Sequence, residues 1–439
     1  MMKLTTLLVA LGVALPAAAV DLSTALSSAQ AADPTLGSAL ANRDAAAENI
    51  PIARARLLPQ LSLQSTDQQL RQSTATSLGP SEFDGRTASK QLSFRQALFR
   101  PRDWAGLTIG KLQAEYGEYK LVTAQADLWN RTVTAWIDVL GAVALRDAYA
   151  RAVASAQAAA DQEKKRFQGG DGTRDAMAEA AAQAAQARAQ LADAEVALQA
   201  RRVAFQLLTR LEATGFEAYR MPDPSGLVLA VESEQSAVQR VLDMNPDLMG
   251  ARASEMISER KVSQASSDHL PTLDMIGSVA EAKNDSPTSL GTRYRNKQLG
   301  LQLVIPIFQG GGVVASVRQA TDFYTAAVSD REALEQKLRT QVSGDWGTMV
   351  GLRERIGAAQ ELVAAAREQR RAAQSGIRVG VKTWSDAGAA DQLVARRETD
   401  LIGLVTNFVK IQARILSLLP IAAPEWDQWT RSLWVAVQK

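Results

Sequence analysis

No cysteine occurs in the 439 residues, and histidine occurs once. Disulfides, thiolate metal sites and cysteine nucleophiles are thereby excluded, and a histidine-rich metal site nearly so. Aromatic residues make up only 5% of the chain, so a core of bulky rings is thin. Abundant alanine studded with charge instead favours long helices packed closely side by side. A surplus of one charge is also missing. The 49 basic and 47 acidic residues give +2, which becomes +1 if Lys3 is lost with a leader. A nucleic-acid binder carries a concentrated basic surplus, so no nucleic-acid partner is expected. Beyond the amino terminus no stretch is apolar enough to span a bilayer as a helix. If the mature chain enters a membrane, it does so as strands.

Motifs of reaction chemistry are equally scarce. There is no phosphate-binding glycine loop, no H-E-x-x-H and no serine nucleophile with a histidine in reach of a motif. Gly310-Gly311-Gly312 follows Phe308 without a Lys-Ser/Thr pair and reads as a hinge between strand and helix. His269 reads as a helix-to-strand junction residue that packs or faces water. No enzyme activity, cofactor or metal is expected.

What is present is order. Met1–Lys3, the apolar run Leu4–Leu15 and Ala17-Ala18-Ala19 read as a secretory signal over residues 1–19 with cleavage after Ala19. The run is shorter than the ~20 residues of a spanning helix, and no cysteine follows for lipidation. The chain then repeats itself. Asp33-Pro34 matches Asn245-Pro246, and Leu57-Leu58-Pro59-Gln60-Leu61 matches His269-Leu270-Pro271-Thr272-Leu273, both at an offset of 212. Gln91-Leu92 matches Gln298-Leu299 at 207, and Gly170 matches Gly380 at 210. Four matches in one order indicate two structural repeats. The first covers 20–210, with a strand hairpin at about 60–99, a long helix 102–168, a tip, and a helix 174–210. A Pro- and Gly-containing linker occupies 211–236. The second repeat covers 237–420, with a hairpin at about 272–308, a long helix 312–378, a tip, and a helix 384–419. A tail of 421–439 remains.

In the second repeat Leu299, Leu301, Leu303, Ile305 and Ile307 alternate with Gly300, Gln302 and Val304 over about the length of a tilted transmembrane strand. Its partner carries Leu273, Met275, Gly277 and Val279 on one face. The first repeat shows Leu61 and Leu63, then Leu92, Phe94 and Leu98. Polar loops are expected near Ser73–Thr87 and Asn284–Asn296. Alternation alone serves a transmembrane hairpin and a soluble amphipathic hairpin equally. The helices decide. Trp129, Val133, Trp136, Leu140 and Val143 follow heptad spacing, as do Leu401, Leu404, Phe408, Ile411, Ile415 and Leu418. A helix from Trp104 to Gln168 is roughly 100 Å long at 1.5 Å per residue, which suits a tube. Four strands cannot close a barrel around a lumen, and open edges are not tolerated in lipid, so closure requires several chains.

These residues resemble the TolC family. The resemblance rests on the Asp-Pro and Asn-Pro steps, Leu57–Leu61, Asp268–Asp274, Ile305–Gly311, and the tip-like Gly170–Arg174 and Val379-Gly380. It covers roughly Asp21 to Pro420. It implies a mainly α protein with a small β part, forming a homotrimer. Four transmembrane strands per chain would make a twelve-stranded shared barrel in the outer membrane, in contact with its lipid, and long coiled-coil-like helices would cross the periplasm. The implied function is a passive export duct served by a periplasmic adaptor (membrane fusion) protein and, indirectly, an inner-membrane ABC or RND-type pump. The reading leans to type I protein secretion, with a multidrug efflux duct as the alternative. From another class, a periplasmic coiled-coil structural or adaptor protein would lack the barrel.

The resemblance also places a gate. Asp386 matches the first position of an acidic ring, while the second falls on Ala389, with Asp391 two residues later. The competing reading of Asp386 is a helix N-terminal charge favoured by the dipole. Lys382 stands where the family has a linking arginine, Asp175 matches the acidic partner, and Ile377 replaces the assisting tyrosine. The turn residues Gly169, Gly170, Asp171, Gly172, Arg174 and Gly380 are the candidate adaptor contact or, equally, turns that need glycine. Trp426, Trp429 and Trp434 read as packing with the linker around Met221–Val231, with a membrane-interface belt as the other reading.

Overall fold

The computed structural model describes residues 20–77, 79–227, 233–286, 289–420 and 422–438. The expected signal, 1–19, lies outside the described residues. Two compact units divide the chain. One holds the chain up to Ala39, Leu121–Pro246 and everything from Gln336 onward; the other holds Leu40–Lys120 and Asp247–Glu335.

The second unit carries the sheet. Helix α1 (Leu22–Ala32) and α2 (Pro34–Ala47) lead to α3 (Asn49–Ala55), β1 (Gln60–Thr76), β2 (Gly79–Phe99) and α4 (Pro101–Gln168). After α5 (Arg174–Thr209) and α6 (Glu234–Met244), the order repeats with α7 (Pro246–Ser266), β3 (Thr272–Ser286), β4 (Ser289–Val304) and α8 (Gly312–Arg378). The four strands form one antiparallel sheet in the order β1-β2-β3-β4, so β2 and β3 join the two repeats.

Register puts directly paired residues on one face. Leu61↔Phe94, Leu63↔Leu92, Met275↔Leu301 and Gly277↔Leu299 place the apolar residues together, and Phe94↔Gly277 and Leu92↔Val279 continue the belt across the repeats. The opposite face presents Gln64, Gln91, Ser278 and Gln298. Leu299 and Leu301 are 76% and 67% exposed, and β1 and β4 each keep one unpaired edge. At the strand-to-helix junction Asp274, 2% exposed, accepts hydrogen bonds from Arg100 at 2.7 and 2.6 Å and from Arg95 at 3.1 and 2.7 Å. This ion cluster ties the start of β3 to the β2–α4 junction.

Two expectations fail here. Ser73–Thr87 and Asn284–Asn296 are largely strand, not loop: pairing runs out to Thr76↔Gly79 and Ser286↔Ser289. Backbone hydrogen bonds continue the ladder where side chains turn polar, so hydrophobic period is lost while the strand is not. Conversely, β4 stops at Val304, short of Ile305 and Ile307. Pro306 has no N–H to donate, and Gly310 and Gly311 adopt positive φ at the turn into α8.

The first unit is helical. Its last elements are α9 (Trp384–Leu416) and α10 (Pro424–Val437). The heptad positions of α4, Trp129, Val133, Trp136, Leu140 and Val143, are all buried. Of the expected α9 positions only Phe408 and Ile415 are, and Val405, Val409 and Leu416 are buried beside them in place of the part-exposed Leu401, Leu404, Ile411 and Leu418. The Asp-Pro step is a helix stop and restart. Asp33 accepts from the Thr35 and Leu36 N–H groups at 2.8 and 2.9 Å and from Arg131 at 3.0 Å. Burial opposes its ionisation, but the hydrogen bonds from Arg131, Thr35 and Leu36 outweigh this and hold its pKa at about 2. In the second repeat the Asn245 side chain donates to the Leu418 carbonyl at 2.8 Å. Trp426 and Trp429 are buried; Trp426 stacks edge-on against Trp129 at 3.8 Å and Trp429 donates to Gln412 at 2.9 Å. Trp434 lies 5.6 Å from Tyr219, just before the linker segment expected to pack with the tail, of which residues 228–231 lie outside the described residues. Among the described residues no helix is long and apolar enough to cross a membrane.

Candidate functional site

Both helical hairpins of the first unit close on the same turn, built from different residues. In the first, Asp171 and Gly172 N–H groups donate to the Arg166 carbonyl at 2.9 and 3.1 Å; in the second, Val381 and Lys382 donate to Gly376 at 3.0 and 3.2 Å. Gly170 (φ +86°) and Gly380 (φ +76°) take the left-handed position that closes each. Thr173 and Thr383 then cap the outgoing helices.

The bulky and the small member of each turn are exchanged. Where the first turn has Arg166 facing Gly172, the second has Gly376 facing Lys382. A Cβ on Gly172 would lie 2.8 Å from the Phe167 nitrogen and 3.2 Å from the Arg166 Cβ; one on Gly376 would lie 2.5 Å from the Lys382 Cγ. Each turn thus seats one basic residue over the backbone. Arg166 donates to the Asp171 carbonyl at 3.2 Å and to the buried Glu163 at 3.2 Å.

Lys382 faces its own helix. Its Nζ lies 3.9 Å from Asp386. The Asp386 carboxylate accepts from the Thr383 N–H at 2.8 Å and hydroxyl at 3.0 Å, while the Asp386 N–H donates to Thr383 Oγ1 at 3.1 Å, completing a capping box. The backbone and side-chain bonds from Thr383, with the Lys382 charge, hold this carboxyl below the ordinary aspartate value. The helix-charge reading of Asp386 therefore has a geometry, and its carboxylate is still 43% exposed. Asp175 is exposed and, among the described residues, meets no basic side chain within 4 Å. Within one chain, Lys382 and Asp175 are not brought together.

Asp391 points elsewhere. At about 100° per residue, five residues place it some 140° around α9 from Asp386. It accepts from Ser155 of α4 and lies 3.9 Å from Arg370 of α8, with its side chain 12% exposed. It belongs to a polar ladder that pattern reading misses. Glu398, 14% exposed, accepts from Arg151 of α4 at 2.8 Å and Arg367 of α8 at 2.7 Å. Burial opposes its ionisation, and the Arg367 and Arg151 bonds overcome that and lower its pKa. Asp138 of α4 holds Lys410 of α9 and Arg201 of α5, the latter at 3.5 Å. Near the tips, Gln183 of α5 donates to Ser385 at 3.4 Å, and Gly388 leaves only 2.8 Å between a would-be Cβ and the side-chain Oε1 of Gln183. The partners stand 236 and 247 residues apart for Ser155–Asp391 and Arg151–Glu398. No local spacing signals such pairs.

A four-stranded sheet with an apolar belt on one face and a polar lining on the other, joined to helical hairpins with charged turns, defines an outer-membrane channel-tunnel. The chain belongs to the outer membrane efflux protein family, whose model matches residues 25–209 and 237–419. It is 25% identical over 365 residues to outer membrane protein TolC of Vibrio cholerae, spanning 81% of this chain and 80% of the relative. It is 26% identical over 385 residues to the proteases secretion protein PrtF of Dickeya chrysanthemi, spanning 83% and 81%. The fold matches the crystal structure of the outer membrane protein VceC of V. cholerae with a TM-score of 0.75, 17% identity, and 90% and 95% of the two chains covered.

Proposed function

We propose that three copies close into one twelve-stranded barrel, four strands from each, and that the assembled duct passively conducts cargo out of the cell without reaction chemistry. The observation that carries this is the sheet: an apolar belt on one face, a polar lining on the other whose charged members among the described residues, Arg95 and Asp274, pair at the helix junction, and two open edges, β1 and β4. Only closure satisfies those edges in lipid. The long helical hairpins would form the periplasmic tunnel of each repeat, with the mature chain beginning after residue 19. An inner-membrane ABC or RND-type pump would deliver cargo through a periplasmic adaptor docking at the turns around Gly169, Gly170, Asp171, Gly172, Arg174 and Gly380. Protein secretion is the favoured cargo route, supported by the likeness to PrtF; small-molecule efflux is the other.

The gate would lie at the hairpin ends. Three Asp386 carboxylates would set a negative entrance that attracts cations. Within each chain the ladder through Asp391 and Glu398 would hold the α8–α9 hairpin against α4 and α5, and a Lys382–Asp175 contact between copies would add a weaker point-charge link. Cell fractionation tests the duct: the chain should sediment with the outer membrane and migrate as an oligomer that heating dissociates. A soluble periplasmic monomer would reject it in favour of a coiled-coil structural or adaptor role.

A further inference from the structure

The apolar face of the sheet does not stay apolar. On β4 the residues that share the face of Leu299, Leu301 and Leu303 continue toward the hairpin tip as Lys297, Arg295 and Arg293. Their register partners extend the band across the sheet: Lys297↔Val279, Arg295↔Glu281 and Arg293↔Lys283, then Lys90↔Glu281 on β2. The opposite face, from Gln64 and Gln298 toward the tips, carries no charge in this stretch among the described residues. In this stretch charge is confined to the face of the leucines.

Most of the acids on that face are already committed. Glu281 holds Arg295 at 3.6 Å, Asp84 holds Arg71 at 2.9 Å, and Asp67 holds Arg86. Lys90, Lys283, Arg293 and Lys297 are exposed and, among the described residues, have no carboxylate within 4 Å. Lys283 and Arg293 sit directly opposite each other, a like-charge pairing that destabilises a ladder unless an anion lies between. Barrel closure does not supply one. The β1 edge that a second copy would bring beside β4 offers Asp67, which Arg86 already holds bidentately.

We propose that this band seats phosphate groups of a multiply phosphorylated lipid, the chemistry of lipid A, whose acyl chains lie along Leu299, Leu301 and Leu303. The leucines set the depth, and the cations lie where headgroups begin, on the leaflet nearest the hairpin tips. The inference rests on the barrel reading above.

The test reconstitutes the full chain into phosphatidylcholine vesicles that contain lipid A, dephosphorylated lipid A or neither, and measures lipid retained per chain and the temperature of oligomer dissociation. Lipid A should be retained and raise that temperature; dephosphorylated lipid A and added inorganic phosphate should not. Replacing Lys283, Arg293 and Lys297 with Gln should weaken retention by roughly fivefold per cation removed. If those substitutions prevent assembly, the lipid A comparison on the unaltered chain still decides. Equal retention of both lipids, or an equal rise with inorganic phosphate alone, would overturn the phosphate seat while leaving the barrel intact. A chain that enters none of the vesicles would overturn the barrel reading and this site with it.

Discussion

Two residues at the hairpin turns carry sharp consequences. A methyl on Gly172 meets the Phe167 nitrogen at 2.8 Å, and one on Gly376 meets the Lys382 Cγ at 2.5 Å and Cβ at 2.9 Å, the end of that side chain fixed to the backbone. Gly172→Ala and Gly376→Ala should therefore each loosen their own turn by about 1–3 kcal/mol. Faster amide exchange over residues 166–176 in the first variant and over 376–386 in the second checks this. Asp386 gives a pH prediction. Its folded-state pKa is depressed, so its charge persists above the ordinary aspartate value near ~3.9 and is lost only as pH falls below it. Cation preference in planar bilayers should thus be constant from pH 8 to pH 5 and vanish in stronger acid. Asp386→Asn should show the low preference at every pH. Asp33 behaves alike for stability: its contribution is complete above the unfolded value and is lost as pH falls toward about 2.

At the scale of elements, the ladder rather than the turn should dominate the gate. Glu398 is nearly buried between two arginines, while Lys382 and Asp386 are about half exposed, and exposed pairs contribute ~0–1 kcal/mol. Single-channel conductance should rise more in Glu398→Gln than in Lys382→Glu; the reverse order would move the latch back to the turns. What could be read from sequence follows the same division. Helices were legible because Trp129–Val143 and Leu401–Leu418 keep one period over many turns, and the hinge because Pro306 and Gly310 obey local rules. The outer strands were not, since Arg293, Arg295 and Lys297 carry no hydrophobic period although their backbone stays paired. The ladder was invisible because Arg151 and Glu398 are adjacent only once two hairpins pack.

For the whole molecule, the tail is part of the fold. Trp429 is fully buried and bonded to Gln412, so Trp429→Ala should cost about 3–5 kcal/mol and lower the amount of oligomer recovered from membranes. The repeats divide the work. The strands and junctions agree between halves, which lets one β2–β3 pairing join them into a single sheet. The turns differ in which member is bulky and in what holds the helix that follows. That sheet, with its two unsatisfied edges, is the basis for assembly, and counting subunits tests it most directly. Native mass measurement of the detergent-extracted outer-membrane particle should give three chains. A stable single chain, or a particle of two, would contradict the shared barrel.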